Sequence, residues 1–109
     1  MSADFWNSRY AESGYAYGTG PNAFLVSQKQ YLRPSGTVLA VADGEGRNGV
    51  WLAQQGLAVL SVDASEVGLY KAQELAAERG VTIRTEKVDL TTWQWPGQKF
   101  DVVVSIYVH

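Results

Sequence analysis

Three glycines and a set of carboxylates carry the chemistry this chain can offer. Gly44, Gly46 and Gly49 punctuate VLAVADGEGRNGVWLA, residues 38–53, where an apolar, β-branched run gives way to a short apolar helix. Glycines at such a junction let backbone amides approach a ligand with no Cβ in the way, and the helix aims its positive N-terminus at an anionic group. Asp63 follows Gly44 by nineteen positions, at the end of the next apolar run. On paper that is the GxGxxG and downstream acid of a dinucleotide-binding fold. The helix speaks against it. Only six residues separate Gly49 from Gly56, whereas a dinucleotide fold usually continues for about three turns. A tight strand-to-helix turn shaped by glycine alone is the plainer alternative.

Composition limits the partners. A chain of 109 residues with 46% hydrophobic and 18% charged residues makes one domain with a modest core. Nine basic residues against eleven acidic ones leave a net charge of -2 and a pI near 5.2, which disfavours nucleic acid and anionic membranes. Cysteine is absent and histidine occurs once, at His109, so disulfides, thiolate sites and histidine clusters are excluded and no metal is expected. MSADFWNSRY lacks the basic and apolar regions of a secretory signal, and no run approaches about eighteen apolar residues. The expected location is cytoplasmic.

The elements that must position these groups alternate. The caps and periodicity predict helices over 3–12 and 23–32 around a turn-rich GYAYGTGPN, then a fully buried strand over 38–42. A helix over 47–55 ends at Gly56, and a strand covers 58–62. Ser65 opens a long helix closed by Gly80, with Leu69, Ala72 and Ala76 on one face. Gly68 inside it costs about 1 kcal/mol relative to alanine, which implies close backbone packing. Strands are expected over 81–86 and 100–108. The order predicts an α/β, Rossmann-like parallel sheet with helices on both faces, joined by right-handed crossovers. Residues 1–36 form an N-terminal helical preface, and 37–109 the sheet domain. DVVVSIYVH has the apolarity of a central strand, so the expectation is the N-terminal half of a domain of about 200 residues. Its open edge invites self-association.

The sequence of strand, GEGRN loop, short LAQQG helix, VLSVDAS, long helix, VDL and FDVVVS resembles a class I S-adenosylmethionine-dependent methyltransferase from Val38 onward. WNSRYAESGYAYGTGPNAFL is similar to the N-terminal region of bacterial small-molecule methyltransferases of the tellurite-resistance and thiopurine type. The resemblance implies S-adenosyl-L-methionine as cofactor, a small-molecule methyl acceptor, and the first four strands of that fold. It implies that Gly44 and Gly46 pass under the methionine part of the cofactor. Asp63 suits the two ribose hydroxyls, which can donate to its two oxygens. Ala64 and Ser65 follow, Ser65 being equally a helix cap. Asp89 and Leu90 match the element that meets the adenine, unless Asp89 is a loop carboxylate facing water. Ser105 and Ile106 end the fourth strand beside the transferred methyl group.

This chain departs from the family pattern twice. The usual first-strand acid falls at Ala40 and the first loop glycine at Ala42. Asp43 and Glu45 are the expected substitutes for the missing charge, Glu45 favoured because it lies between the loop glycines. Arg47 either pairs with the cofactor carboxylate or is solvated. Trp6, Tyr10, Tyr15 and Tyr17 either cover the sulfonium by cation–π attraction or staple the first helices to the sheet, with Trp6 and Tyr17 taken as the cofactor contacts. Trp93 and Trp95 are expected to pack, and His109 is a candidate to face the acceptor. Methyl transfer from a sulfonium needs little acid or base help, which agrees with the absence of a nucleophile, triad or metal cluster. No catalytic residue is assigned, and the 109-residue chain alone is expected to be inactive. The rival reading is an NAD-type dinucleotide-binding module or a noncatalytic nucleotide-binding fragment.

Overall fold

The elements begin and end where side chains satisfy the backbone. A computed structural model describes residues 3–11, 14–15, 18–94 and 100–105. Helix α1 spans Ala3–Tyr10 and α2 spans Ala23–Ser27. The Asn22 side chain caps α2 by accepting from the Phe24 and Leu25 amides. The expected helix over 23–32 stops early. The Gln28, Tyr31 and Leu32 amides bond three residues back, so the chain tightens into a 3-10 turn at Lys29–Tyr31, and Ser27 Oγ competes by donating to the Phe24 carbonyl.

Strand β1, Thr37–Val41, leads through the glycine loop into α3, Arg47–Gln54. Strand β2 is Ala58–Asp63 and helix α4 is Glu66–Glu78. Both helices close on a left-handed glycine. The Gly56 and Leu57 amides donate to Ala53 and Leu52, and the Gly80 and Val81 amides to Ala77 and Ala76. The second closure corrects the expected strand over 81–86. Val81 still terminates α4, so β3 begins only at Arg84 and runs to Lys87. Strand β4, Val102–Ser105, starts from a reciprocal clamp: Asp101 Oδ2 accepts from the Thr37 amide at 2.8 Å, and the Asp101 amide donates to Thr37 Oγ1 at 3.1 Å. The rest of the 100–108 expectation, together with Glu12, Tyr17, Trp95, Ile106 and His109, lies outside the described residues.

All strand pairs are parallel, in the order β3-β2-β1-β4. Val38, Ala40 and Val59 pack with Val50, Leu52, Ala72, Leu75 and Ala76 of α3 and α4. Leu39, Val41, Leu60 and Val62 point the other way and pack with Val88, Trp93 and Phe100. Among the described residues, helices therefore cover one face, and the connection between β3 and β4 contributes to the other.

Gly68 lies where α4 meets both α1 and the loop. A methyl group on it would sit 2.8 Å from Tyr10 Cδ2 and 3.2 Å from the Gly44 carbonyl carbon. Alanine is the better helix former by about 1 kcal/mol, but overpacking costs about 1–3 kcal/mol. Gly68→Ala should therefore destabilise, lowering the urea midpoint at unchanged slope. A raised midpoint would show that propensity outweighs packing here.

Candidate functional site

The loop between β1 and α3 sits at the C-terminal ends of the strands, at the point where the chain turns in opposite directions. From β1 it steps outward through β2 to β3, then returns to place β4 on the other side of β1. Such a switch point opens a crevice in a parallel sheet, and ligands bind there. Ala42 leaves β1 with φ of 56°, Gly44 with 58° and Gly46 with 87°. The left-handed conformation is strained at Ala42 and unstrained at the glycines.

The glycines are also required by the chain's own packing. A Cβ at Gly44 would lie 2.5 Å from Tyr10 Oη, and one at Gly46 would lie 2.6 Å from Ala72 Cβ. Tyr10, buried at 6% exposure, is the staple of α1 on the loop. Tyr15 packs against the helix-side core. Of the four aromatic candidates, then, these two hold the preface in place. The Trp6 side chain and Tyr17 lie outside the described groups.

Two carboxylates brace the loop from beneath. Asp43 accepts from Ser61 Oγ at 2.8 Å and from the Gly49 amide at 3.2 Å. Gly46 has no side chain to cap α3, and Asp43 serves one of its open amides from three residues upstream. Ser61 is paired in register with Ala40. The Asp43 carboxylate is thus held beside the register partner of Ala40. Gly49 makes room for it, since a Cβ there would lie 2.4 Å from Asp43 Oδ2. Burial pushes the Asp43 carboxyl up to about 6, against the two hydrogen bonds, with Asp63 raising it further and Arg47 lowering it.

Asp63 ends β2. Its Oδ2 accepts from the Gly44 amide and its Oδ1 from the Ser65 amide, each at 2.9 Å. Burial raises its pKa, and the amides of Ser65, Gly44 and Ala64 oppose the rise. A carboxylate offers about four acceptor positions, so these amides leave it able to accept from a ligand. Ser65 caps α4 by accepting from the Gly68 amide at 3.0 Å, and its hydroxyl donates to Asn7 Oδ1 at 2.6 Å. Its observed contacts are those of a cap. Glu45, with its side chain 5% exposed, faces Lys71 of α4 at 3.2 Å. Arg47 is partly exposed at the first position of α3.

The adenine candidates lie at the same edge but in the open. The Val88 amide donates to the Asp63 carbonyl, which brings Asp89 beside the end of β2. Asp89 Oδ1 accepts from the Thr91 amide at 3.0 Å and from Thr91 Oγ1 at 2.6 Å, and these bonds lower its pKa. Leu90 is 37% exposed. Ser105 is exposed at the end of β4, paired with Val41 and so beside the root of the loop. The structure therefore gathers Asp43, Gly44, Glu45, Gly46, Arg47, Asp63, Ala64 and Ser65 around one loop, with Asp89, Leu90 and Ser105 at its rim.

Three contributors escaped sequence reasoning. Asn7 docks α1 on Ser65, Asn48 Oδ1 accepts from the Asn22 amide at 2.7 Å, and Lys71 meets Glu45. Asn22 alone announces itself, as a cap before AFLV. The others act over long sequence separations and leave no local signal.

A family model described as a methyltransferase domain matches residues 38–109. The chain belongs to the methyltransferase domain family. A TehB-like SAM-dependent methyltransferase from Corynebacterium glutamicum is 27% identical, over 78% of this chain and 43% of that one, with a TM-score of 0.65. TehB from Haemophilus influenzae is 24% identical over 94% of this chain and 33% of its own, at 0.69. A SAM-dependent methyltransferase from Thiobacillus denitrificans, solved with S-adenosyl-L-homocysteine, is 18% identical over 99% of this chain and 44% of its own, at 0.75. The chain thus spans less than half the length of each of these structures. No curated protein matches it.

The Asp43 carboxyl predicts a pH signature. Below about pH 3 it is protonated in the folded and unfolded chain alike; between the ordinary value of 3.8 and about 6 only the unfolded chain ionises, so stability falls as pH rises. Above that window the full cost, about 3 kcal/mol, persists. The stability of Asp43→Asn relative to the native chain should accordingly grow by that amount between about pH 3 and pH 7, measured by urea unfolding. Parallel pH profiles for the two proteins would remove the cause assigned here.

Proposed function

We propose that the protein transfers the methyl group of S-adenosyl-L-methionine to a small-molecule acceptor, and that this chain holds the cofactor. The observation that carries the proposal is the left-handed glycine loop at the switch point, with Asp63 closing the adjacent strand behind it. The likeness to the Corynebacterium enzyme supports the same cofactor. When bound, the cofactor supplies an electrophilic methyl group on a neutral thioether leaving group. The chain's residues bind and orient it.

In this reading Gly44 and Gly46 leave the loop free of side chains beneath the methionine end. Asp63 takes the ribose hydroxyls with acceptor capacity its amide partners leave open. Ala64 and Ser65 line the turn after it, and Asp89 and Leu90 meet the adenine. Arg47 stands at the helix N-terminus for the cofactor carboxylate, Ser105 flanks the methyl group, and Trp6 and Tyr17 cover the cofactor from residues 1–36. Asp43 is the better placed of the two substitute acids. It occupies the neighbourhood of Ala40, whereas Glu45 is already matched to Lys71. A sulfur, selenium or tellurium acceptor suits a site without an evident base.

Among the described residues no helix is long and apolar enough to cross a membrane, and no group of three or more His, Cys, Asp or Glu side chains could hold a metal ion. With the net charge of -2, this supports a cytoplasmic enzyme that does not act on nucleic acid. Strand β4 edges the described sheet with Val103 52% exposed, and a second copy would pair there. Sedimentation should show a dimer of this chain; a monomer at all concentrations refutes that pairing. Without the remaining fold, the 109-residue chain should show no turnover.

Titration calorimetry decides the cofactor. S-adenosylhomocysteine should bind and NAD should not, and Asp63→Asn should weaken binding by about tenfold or more through loss of charge-assisted hydrogen bonds. Binding of NAD without either sulfur cofactor would assign the loop to a dinucleotide instead.

A further inference from the structure

Lys71 projects from α4 between two parts of the chain that are far apart in sequence. Its Nζ lies 3.2 Å from Glu45 Oε2 on the glycine loop and donates to the carbonyl oxygen of Gly14 in the preface. The same ammonium sits 5.6 Å from the centroid of the Tyr15 ring, and Tyr15 Oη donates to the Lys71 carbonyl at 3.5 Å. Both charged side chains are largely withdrawn from water, Lys71 at 17% exposure and Glu45 at 5%. A carboxylate so placed is costly to leave without its counterion. The ammonium is therefore held to the loop, and whatever it holds in turn is held there too.

We propose that Lys71 is a positioning residue that couples the N-terminal segment at Gly14 and Tyr15 to the glycine loop, making segment docking and loop conformation one equilibrium. Neighbouring packing reinforces the link. Gly46 meets Ala72, the residue after Lys71, so the loop cannot shift from α4 at Gly46 without disturbing Glu45 as well. Coupling of this kind is reciprocal: a ligand that favours the docked loop favours the docked segment by the same factor. A further consequence rests on the cofactor reading above. The amino-acid end of the ligand lies over the loop, so Lys71 governs affinity for that end and not for the nucleoside.

Hydrogen exchange on the ligand-free protein tests the coupling. Lys71→Met should speed exchange at residues 14–15 and 44–46 together, by about tenfold, while Lys71→Arg stays close to the native protein. Tyr15→Ala, made on the segment side alone, should also speed exchange at 44–46 and keeps the test open if Lys71→Met fails to fold. Acceleration confined to one region, or unchanged exchange at 44–46 in Tyr15→Ala, overturns the proposal. With ligand, Lys71→Met should weaken S-adenosylhomocysteine about tenfold and methylthioadenosine, which lacks the amino-acid end, by less than about twofold. Equal weakening of both overturns the ligand consequence. Should the native protein bind neither compound, the cofactor reading fails, and exchange still decides the coupling.

Discussion

The backbone from Asp43 to Gly46 lies against helix α4 and Tyr10 with no room for side chains at Gly44 and Gly46, and the other features of the site follow from that approach. A Cβ at Gly46 would strike Ala72 and one at Gly44 would strike Tyr10. Bringing polar backbone this close to a packed helix exposes its amides to burial, and a buried amide must find an acceptor. Asp63 supplies one for Gly44 and Asp43 one for Gly49. Carboxylates so used leave water themselves, which is why both have raised pKa values. The loop geometry, the buried acids and the small residues on α4 are consequences of one close contact.

The N-terminal segment belongs to the same contact. Tyr10 stands on Gly44 and Gly68, Asn7 takes the Ser65 hydroxyl, Lys71 reaches Gly14, and Asn48 holds Asn22. Each link joins residues 7–22 to the loop or to the first turns of α3 and α4. The preface therefore shapes the site from behind as part of its wall. Of the aromatic residues described there, Tyr10 and Tyr15 are explained by packing.

The alanines at 40 and 42 acquire different meanings. Ala40, buried in β1, stands beside Ser61, and that pair together with Gly49 makes the space into which the Asp43 carboxylate turns. Ala42 has no such compensation among its described contacts; it holds a left-handed backbone that glycine would adopt without strain.

Much of the fold was legible because its signals are local. Gly56 and Gly80 close helices through bonds to residues a few positions back, Ser65 caps the helix it precedes, and continuous apolar runs mark strands buried on both faces. The strand expected over 81–86 was displaced for an equally local reason: Val81 completes the helix closure before extended structure can begin. The sequence by itself determined the parallel α/β order, the glycine loop and the acids around it. Only the tertiary structure decided what those acids do. Asp43 rather than Glu45 lies by Ala40, Glu45 is matched to Lys71, and Ser65 serves as a cap. The physical reason is that a carboxylate's role depends on which amide or cation lies within about 3 Å of it, and the packing of α1 and α4 on the loop sets those neighbours across separations that no local pattern records.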